Sequence, residues 1–223
     1  MNALTIATMN AMPWWHKINL GDGVVTPGLA QHTVEHASIY FGMPEDLTGK
    51  RVIDIGCSDG MFSFEAERRG ANEVLAIDTS RPEDKCFGKA HSWPAGINFC
   101  KNVLDSEVEV RDQDFRDLPL GEQWDVVLFY CVLYHLKDPI GALQKLEQIT
   151  NPGGVCLIET AYSKSPDGAP TWEYRPGHHG DSTNQWYCSL TGLQTALKAV
   201  GFAKAEMVGH WDALERMTVR ATK

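Results

Sequence analysis

The sequence predicts an α/β fold built on a mostly parallel β-sheet with helices on both faces. Three observations carry this. From Lys50 onward, short runs rich in Val, Ile and Leu alternate with stretches of helical spacing, as in parallel sheets buried on both sides. The first run ends in a glycine-punctuated turn, "VIDIGCSDG" (52–60), directly before a helical stretch. The chain then closes on two strand-like runs with no helix between them, which suits an antiparallel hairpin.

The elements follow in order. "RVIDI" (51–55) is a continuous apolar strand around Asp54, and "MFSFEAERRG" (61–70) a helix ending at Gly70. "EVLAID" (73–78) is the second strand. After a connection bearing Pro and Gly, a helix covers Ala95 to Leu104. "VEVRDQD" (108–114) is a third, more polar strand, and "WDVVLFY" (124–130) the most apolar fourth. "DPIGALQKLEQIT" (138–150) places apolar residues at 140, 143, 146 and 149, with Asp138 as N-cap and Pro139 in the first turn. "NPGG" turns into "VCLIET" (155–160), the fifth strand. "SLTGLQTALKAVGF" (189–202) is a helix closed by Gly201, and "AKAEMVGH" and "RMTVRAT" form the final hairpin.

Two segments interrupt the alternation. Residues 1–48, rich in Trp, His, Gly and Pro, are expected to form an N-terminal cap. Residues 49–223 form the core, with 161–188 inserted as a polar and aromatic substrate-cap loop; a loop that long points to a lid or binding role.

Composition narrows the class. The formal net charge of −9, with basic residues scattered, weighs against a nucleic-acid substrate. The longest nearly uncharged apolar stretch, 126–136, is far below the ~20 residues of a membrane helix. Residues 1–12 lack the basic start and continuous apolar middle of a secretory signal. A cytoplasmic protein is expected, with no membrane association, as a monomer or homodimer. Cys57, Cys86, Cys100, Cys131, Cys156 and Cys188 never form a CxxC pair, which fits reduced packing thiols.

The turn after the first strand is the sharpest signal. Gly56, Ser58 and Gly60 occupy alternate positions ahead of a helix, where glycine permits tight turning and close ligand approach. In open parallel sheets this turn lies at the carboxyl edge, where nucleotide-like ligands bind. Asp78, ending the second strand, can accept both hydroxyls of a ribose. The spacing lacks the third glycine of a dinucleotide fingerprint and the GK[ST] of a phosphate loop. Asp59 in the turn would repel a pyrophosphate, so a ribose-bearing ligand without phosphate fits better.

On "VIDIGCSDG", "LAID", "QDFRDLP", "WDVVLFYCVLYHLKDP" and "NPGGVCLIE", in order, the chain resembles the class I S-adenosylmethionine-dependent methyltransferases. The resemblance implies a Rossmann-like sheet of seven strands, the last two being the hairpin, and S-adenosyl-L-methionine as cofactor. By position it implies that Gly56, Cys57, Ser58 and Gly60 run along the cofactor and that Asp78, with Thr79 following, holds the ribose. Asp114 would bond the adenine amino group, with Phe115 beside the ring. Asp54 either contacts the methionine amine or bonds turn N–H groups. The family's usual middle glycine is Ser58 here.

The fourth strand of that fold ends beside the sulfonium methyl, where cofactor and acceptor meet; Tyr130 and Tyr134 would bind the cofactor there, with His135 in the turn beyond. Methyl transfer gains most from holding the reactants in line, and needs a general base only if the acceptor must lose a proton. His135 and Tyr130 are the catalytic candidates; the alternative for His135 is a helix-start residue bonded to a carbonyl. "VLYH" also resembles the branch that modifies tRNA wobble uridine with a carboxylated cofactor, in which the tyrosine matching Tyr134 contacts the cofactor. Trp15, His16, His178, His179 and Trp186 are candidate contacts to a small-molecule acceptor, each otherwise a packing or solvated residue. His178, His179 and Asp181 are the residues nearest to a metal-ligand set, but adjacent histidines point apart, and no metal is expected. The sequence therefore reads as a methyltransferase acting on oxygen or nitrogen of a metabolite. Its rivals are tRNA wobble-uridine modification, a nicotinamide oxidoreductase and a non-catalytic cofactor binder.

Overall fold

The computed structural model describes residues 2–80, 93–165 and 167–223, with His179 described by its backbone alone. Cys86 lies outside the described residues. The chain forms two compact units, one of residues 1–37 and 46–114, the other of 38–45 and 115–223.

In the first unit, uninterrupted aliphatic runs form β1 (Arg51–Ile55) and β2 (Glu73–Asp78), which pair in parallel with Val52 opposite Val74 and Ile55 opposite Ile77. The more polar β3 (Glu109–Asp112) continues the parallel ladder, Leu75 facing Glu109, and is shorter than its sequence run. The N-terminal stretch contributes α1 (Ala3–Asn10), capped by Asn2, and the short α2 (His36–Ile39) follows it across the unit boundary. Two helices flank the strands, α3 (Met61–Arg68) and α4 (Ala95–Leu104). α3 starts directly after Gly60, its N-cap, where φ is +86°. A Cβ at Gly60 would sit 2.7 Å from Ile97 Cδ1, so both backbone and space demand glycine.

The second unit is built on β4 (Trp124–Tyr130) and β5 (Thr150–Ala161), which run parallel, with β8 (Lys204–Trp211) and β9 (Arg216–Thr222) completing the order β4-β5-β9-β8. β9 is antiparallel to both of its neighbours. These seven strands are those of the expected mostly parallel sheet with an antiparallel C-terminal strand, β9. α5 (Pro139–Ile149) has Asp138 Oδ1 accepting the Gly141 N–H at 2.8 Å, as the cap spacing predicts. Leu143, Leu146 and Ile149 are buried, and α6 (Leu190–Val200) is capped in the same way by Ser189.

Two features depart from the sequence reading. "NPGG" is not a turn ahead of the fifth strand but a bulge within it: Trp124 faces Thr150, and Val126 faces Val155. The Gly153 N–H donates to Lys223 O at 3.0 Å and the Lys223 N–H to Gly154 O at 3.1 Å, which holds the bulge in the ladder. Segment 161–188, without period in the sequence, contains an antiparallel hairpin of β6 (Trp172–Tyr174) and β7 (Trp186–Cys188).

Cys57, Cys100, Cys156 and Cys188 are buried free thiols, and burial pushes Cys188 up to about 12. No helix among the described residues is long and apolar enough to cross a membrane.

Candidate active site

The turn leaving β1 is held from two directions. Gly56, Ser58 and Gly60 all take positive φ (73°, 51° and 86°), which winds the main chain tightly. The Gly56 and Cys57 N–H groups donate to Ile77 O, and the Ser58 N–H donates to Asp78 Oδ2 at 2.9 Å. Asp78 Oδ1 accepts its neighbour's N–H, from Thr79, at 2.7 Å. The carboxylate named from its place at the end of the second strand is thus tied to the turn it was paired with. The Ser58 hydroxyl is buried and makes no hydrogen bond among the described residues, which is costly unless a ligand supplies one. Asp114 is buried just beyond β3, beside Gln113, whose N–H donates to Asp78 O at 2.9 Å. Cys57 is buried, and that burial raises its thiol well above the ordinary value.

Asp54 is buried one residue before the end of β1, its Oδ2 accepting from Ser63 Oγ at 2.6 Å. Burial pushes its carboxyl up to about 7 against the pull of the Ser63 hydrogen bond, and the nearby charge of Asp78 adds to the rise. A folded-state value raised above the unfolded one gives stability that is full below about pH 4 and is lost as pH rises through about 7. Unfolding free energy is therefore expected to fall across that window by an amount on the order of 4 kcal/mol. Asp54→Asn should flatten that part of the pH dependence in urea titrations at pH 5 and pH 8; equal slopes in the two proteins would contradict it.

Asp59, read from the sequence as a charge that would repel a pyrophosphate, is fully buried, and its Oδ2 accepts the Trp15 N–H at 2.6 Å and the His16 N–H at 2.9 Å. Trp15 and His16, named as acceptor contacts, are thereby joined to the glycine turn. Trp15 is partly exposed, while the buried His16 ring packs edge-on against Phe62 and His32.

In the second unit, Tyr130 ends β4 with its hydroxyl donating to Phe41 O at 3.1 Å. Cys131 then takes φ +61°, and a short 3₁₀ turn carries Tyr134 and His135. The Tyr134 hydroxyl accepts from Arg216 Nη2 at 2.6 Å, and the guanidinium lies 3.8 Å from the ring centroid. Arg216 Nη1 is 3.5 Å from Glu159 Oε2, an ion-pair contact without a hydrogen bond. Glu159 Oε2 also accepts the Cys131 N–H at 3.0 Å, and Oε1 the Tyr40 hydroxyl at 3.4 Å. Burial, with the Glu159 charge beside it, pushes the Tyr40 phenol far above its usual range.

His135 Nδ1 lies 2.9 Å from Thr183 Oγ1, whose own proton goes to Asp181 Oδ1 at 2.6 Å. The histidine must therefore donate from Nδ1, which leaves Nε2 unprotonated. Burial pulls its pKa down to about 4, outweighing the Thr183 contact and the Asp181 charge that favour protonation. The imidazole is neutral at physiological pH and is a weak base. Gln185 secures the hairpin to this turn: its N–H donates to Tyr134 O and its side-chain amide to His135 O, both at 2.9 Å.

His178 Nε2 is 3.0 Å from Glu215 Oε2, and its ring meets Tyr187 edge-on. Trp186 pairs with the exposed Tyr174 ring at 5.3 Å, and its buried indole N–H makes no hydrogen bond among the described residues. The His179 side chain lies outside the described residues. Among the described residues no group of three or more His, Cys, Asp or Glu could hold a metal ion. Phe115 packs edge-on against Phe129.

Sequence reasoning missed the bonds of Asp59 to the N-terminal segment, and missed Glu159, Arg216, Thr183 and Gln185. A lone carboxylate inside the apolar run "VCLIET" was a signal available for Glu159; the others become visible only through tertiary pairing.

The model of a family described as "Methyltransferase domain" matches residues 29–206. The tRNA U34 carboxymethyltransferase of Idiomarina loihiensis is 27% identical over 180 residues, covering 74% of this chain and 49% of that protein. The ubiquinone biosynthesis O-methyltransferase of Azorhizobium caulinodans is 27% identical over 173 residues, covering 73% and 62%. The chain spans about half the length of the curated relatives it matches. Among solved structures, the N-terminal domain of EvdMO1 with S-adenosylhomocysteine (SAH) bound superposes with a TM-score of 0.74 at 17% identity, covering 100% of this chain and 97% of that one. The 1,6-didemethyltoxoflavin-N1-methyltransferase of Burkholderia thailandensis superposes with a TM-score of 0.59 at 18% identity, covering 79% and 72%.

Proposed function

The chain belongs to the methyltransferase-domain family, and on that premise we propose that it transfers the methyl group of S-adenosylmethionine to an oxygen or nitrogen of a small metabolite. The observation that carries this is the positive-φ turn Gly56–Gly60 bonded to the Asp78 carboxylate, with the unsatisfied Ser58 hydroxyl on it. Gly56, Cys57, Ser58 and Gly60 line the cofactor. Asp78 and Thr79 take the ribose, and Asp114 with Phe115 takes the adenine. A turn bearing an unsatisfied hydroxyl beside a carboxylate suits a ribose-containing ligand without phosphate. Tyr130 and Tyr134 are the further cofactor contacts that the fourth-strand motif implies.

The cofactor supplies an electrophilic methyl group; the protein supplies position. His135 is neutral from about pH 5 upward, so rate enhancement rests on orientation and water exclusion more than on proton removal. Trp15, His16, His178, His179 and Trp186 contact the acceptor, the indole N–H of Trp186 being an available donor.

A second reading, modification of tRNA wobble uridine with a carboxylated cofactor, is favoured by one observation: the Arg216 guanidinium stacked on Tyr134 would pair with an added carboxylate. The net charge of −9 opposes it. Calorimetric titration with SAH tests both readings: micromolar binding is expected, and none at millimolar ligand rejects them together. Turnover on a metabolite panel supports the first; salt-sensitive retention of tRNA on a filter supports the second and displaces the first.

A further inference from the structure

We infer that Asp59 is a positioning residue that makes cofactor binding and the seating of the N-terminal segment 13–32 a single coupled event. The inference rests on the functional reading given above, and on bonds that all lie within the first unit.

Asp59 sits between two positive-φ residues, Ser58 and Gly60, so the direction of its side chain is set by the same winding that shapes the turn for a ligand. It reaches back 43 and 44 residues to take two main-chain N–H groups on one oxygen. Such charge-assisted bonds in a buried setting are strong and directional. On the other side of the turn Asp78 holds the Ser58 N–H. The turn is therefore braced by two carboxylates, one belonging to the proposed ribose site and one to the N-terminal segment.

The segment that Asp59 holds has its own order. Thr26 Oγ1 donates to His16 O at 2.6 Å and accepts the Ile18 N–H at 2.8 Å, and the Ala30 N–H donates to Trp15 O at 2.8 Å. Trp14 is buried against Phe99 of α4, with its indole N–H on Met9 O. Gly28 passes so close to His16 that a Cβ there would stand 2.2 Å from the His16 carbonyl. Displacing any part of this strap moves the Trp15–His16 peptide that Asp59 grips. The grip exists only when turn and strap are both in place, so a ligand that selects the turn's conformation also selects the seated strap. By linkage a loosened strap must then weaken the ligand. A staple with a purely structural role would alter stability and leave this linkage at zero.

Lys17, exposed in the strap directly after the gripped pair, offers a trypsin site as probe. In the full chain, saturating SAH is expected to slow cleavage after Lys17 at least fivefold. Asp59→Ala should lower SAH affinity tenfold or more, and cleavage after Lys17 should become fast and indifferent to SAH. Asp59→Asn, whose carboxamide oxygen accepts the same two N–H groups, should recover most of the affinity. Gly28→Ala leaves the turn untouched yet should lower SAH affinity comparably, and the Asp59→Ala/Gly28→Ala pair should lose less than the product of the single effects. A folded Asp59→Ala protein that binds SAH within twofold of the parent would overturn the inference. So would SAH that binds the parent without protecting Lys17. If Asp59→Ala does not fold, Gly28→Ala decides alone. A parent protein that fails to bind SAH at all refutes the functional reading, and the coupling with it.

Discussion

Replacing Asp78 by alanine is expected to lower the affinity for SAH by roughly a hundredfold or more, since two hydrogen bonds to a charged acceptor contribute about 1.5–3 kcal/mol each. The carboxylate does two jobs. In its proposed role it accepts the ribose hydroxyls, and in the protein itself it holds the Ser58 N–H at 2.9 Å. Alanine removes the ligand contact and also releases the turn that the ligand must find ready-made. Asp78→Asn should be intermediate, because one acceptor oxygen survives while the new NH₂ group has to turn away from the Ser58 N–H. A second readout separates this from general damage. The Asp78 charge helps to raise Asp54, so the Asp54-dependent stability slope should shift toward lower pH in the alanine variant. Calorimetric titration showing unchanged SAH affinity in a folded Asp78→Ala protein would remove the ribose assignment.

The second large effect concerns stability. Arg216→Met should destabilise the second unit by roughly 3–5 kcal/mol, the range for taking one partner from a buried ion pair. Glu159 has 3% of its side chain exposed and Arg216 20%, so the stranded carboxylate has little water to turn to. The remaining Glu159 contacts, the Cys131 N–H and the Tyr40 hydroxyl, are neutral donors and replace only part of what is lost. A melting temperature lower by on the order of ten degrees is expected for a chain of this size. Adding Glu159→Gln to Arg216→Met should restore much of it, because the uncompensated charge is then gone. Urea denaturation showing a loss below about 1 kcal/mol for Arg216→Met would mean that the cluster contributes little to the fold.

What was legible in the sequence was whatever is encoded locally. β1, β2, β4 and the helices Ala95–Leu104 and Pro139–Ile149 emerge where they were expected because each is long enough to show its period and carries its own boundary residue, such as Asp138. The glycine turn was legible for the same reason: its positive φ values are written in its residue types. The strands of the β6–β7 hairpin were not, since three residues cannot display an alternation. "NPGG" has turn composition, and only the pairing of β5 with β9 keeps it inside the strand.

Charge roles were harder still. Asp59 in a glycine turn looks solvent-facing until the N-terminal segment closes over it. Glu159 and Arg216 are 57 residues apart, and they approach because Ala161 faces Arg216 and Glu159 faces Thr218 across the β5–β9 ladder. His135 has an ordinary pKa near neutrality on paper; burial, a property of the packed structure, is what moves it to about 4.

Gln185 fastens the hairpin through the carbonyl oxygens of Tyr134 and His135, and so through atoms that every amino acid possesses. A clasp blind to side-chain identity keeps the hairpin attached through main-chain atoms, while the Tyr134 and His135 side chains stay engaged with Arg216 and Thr183. The hairpin's attachment to this turn is thus independent of what those two side chains bind.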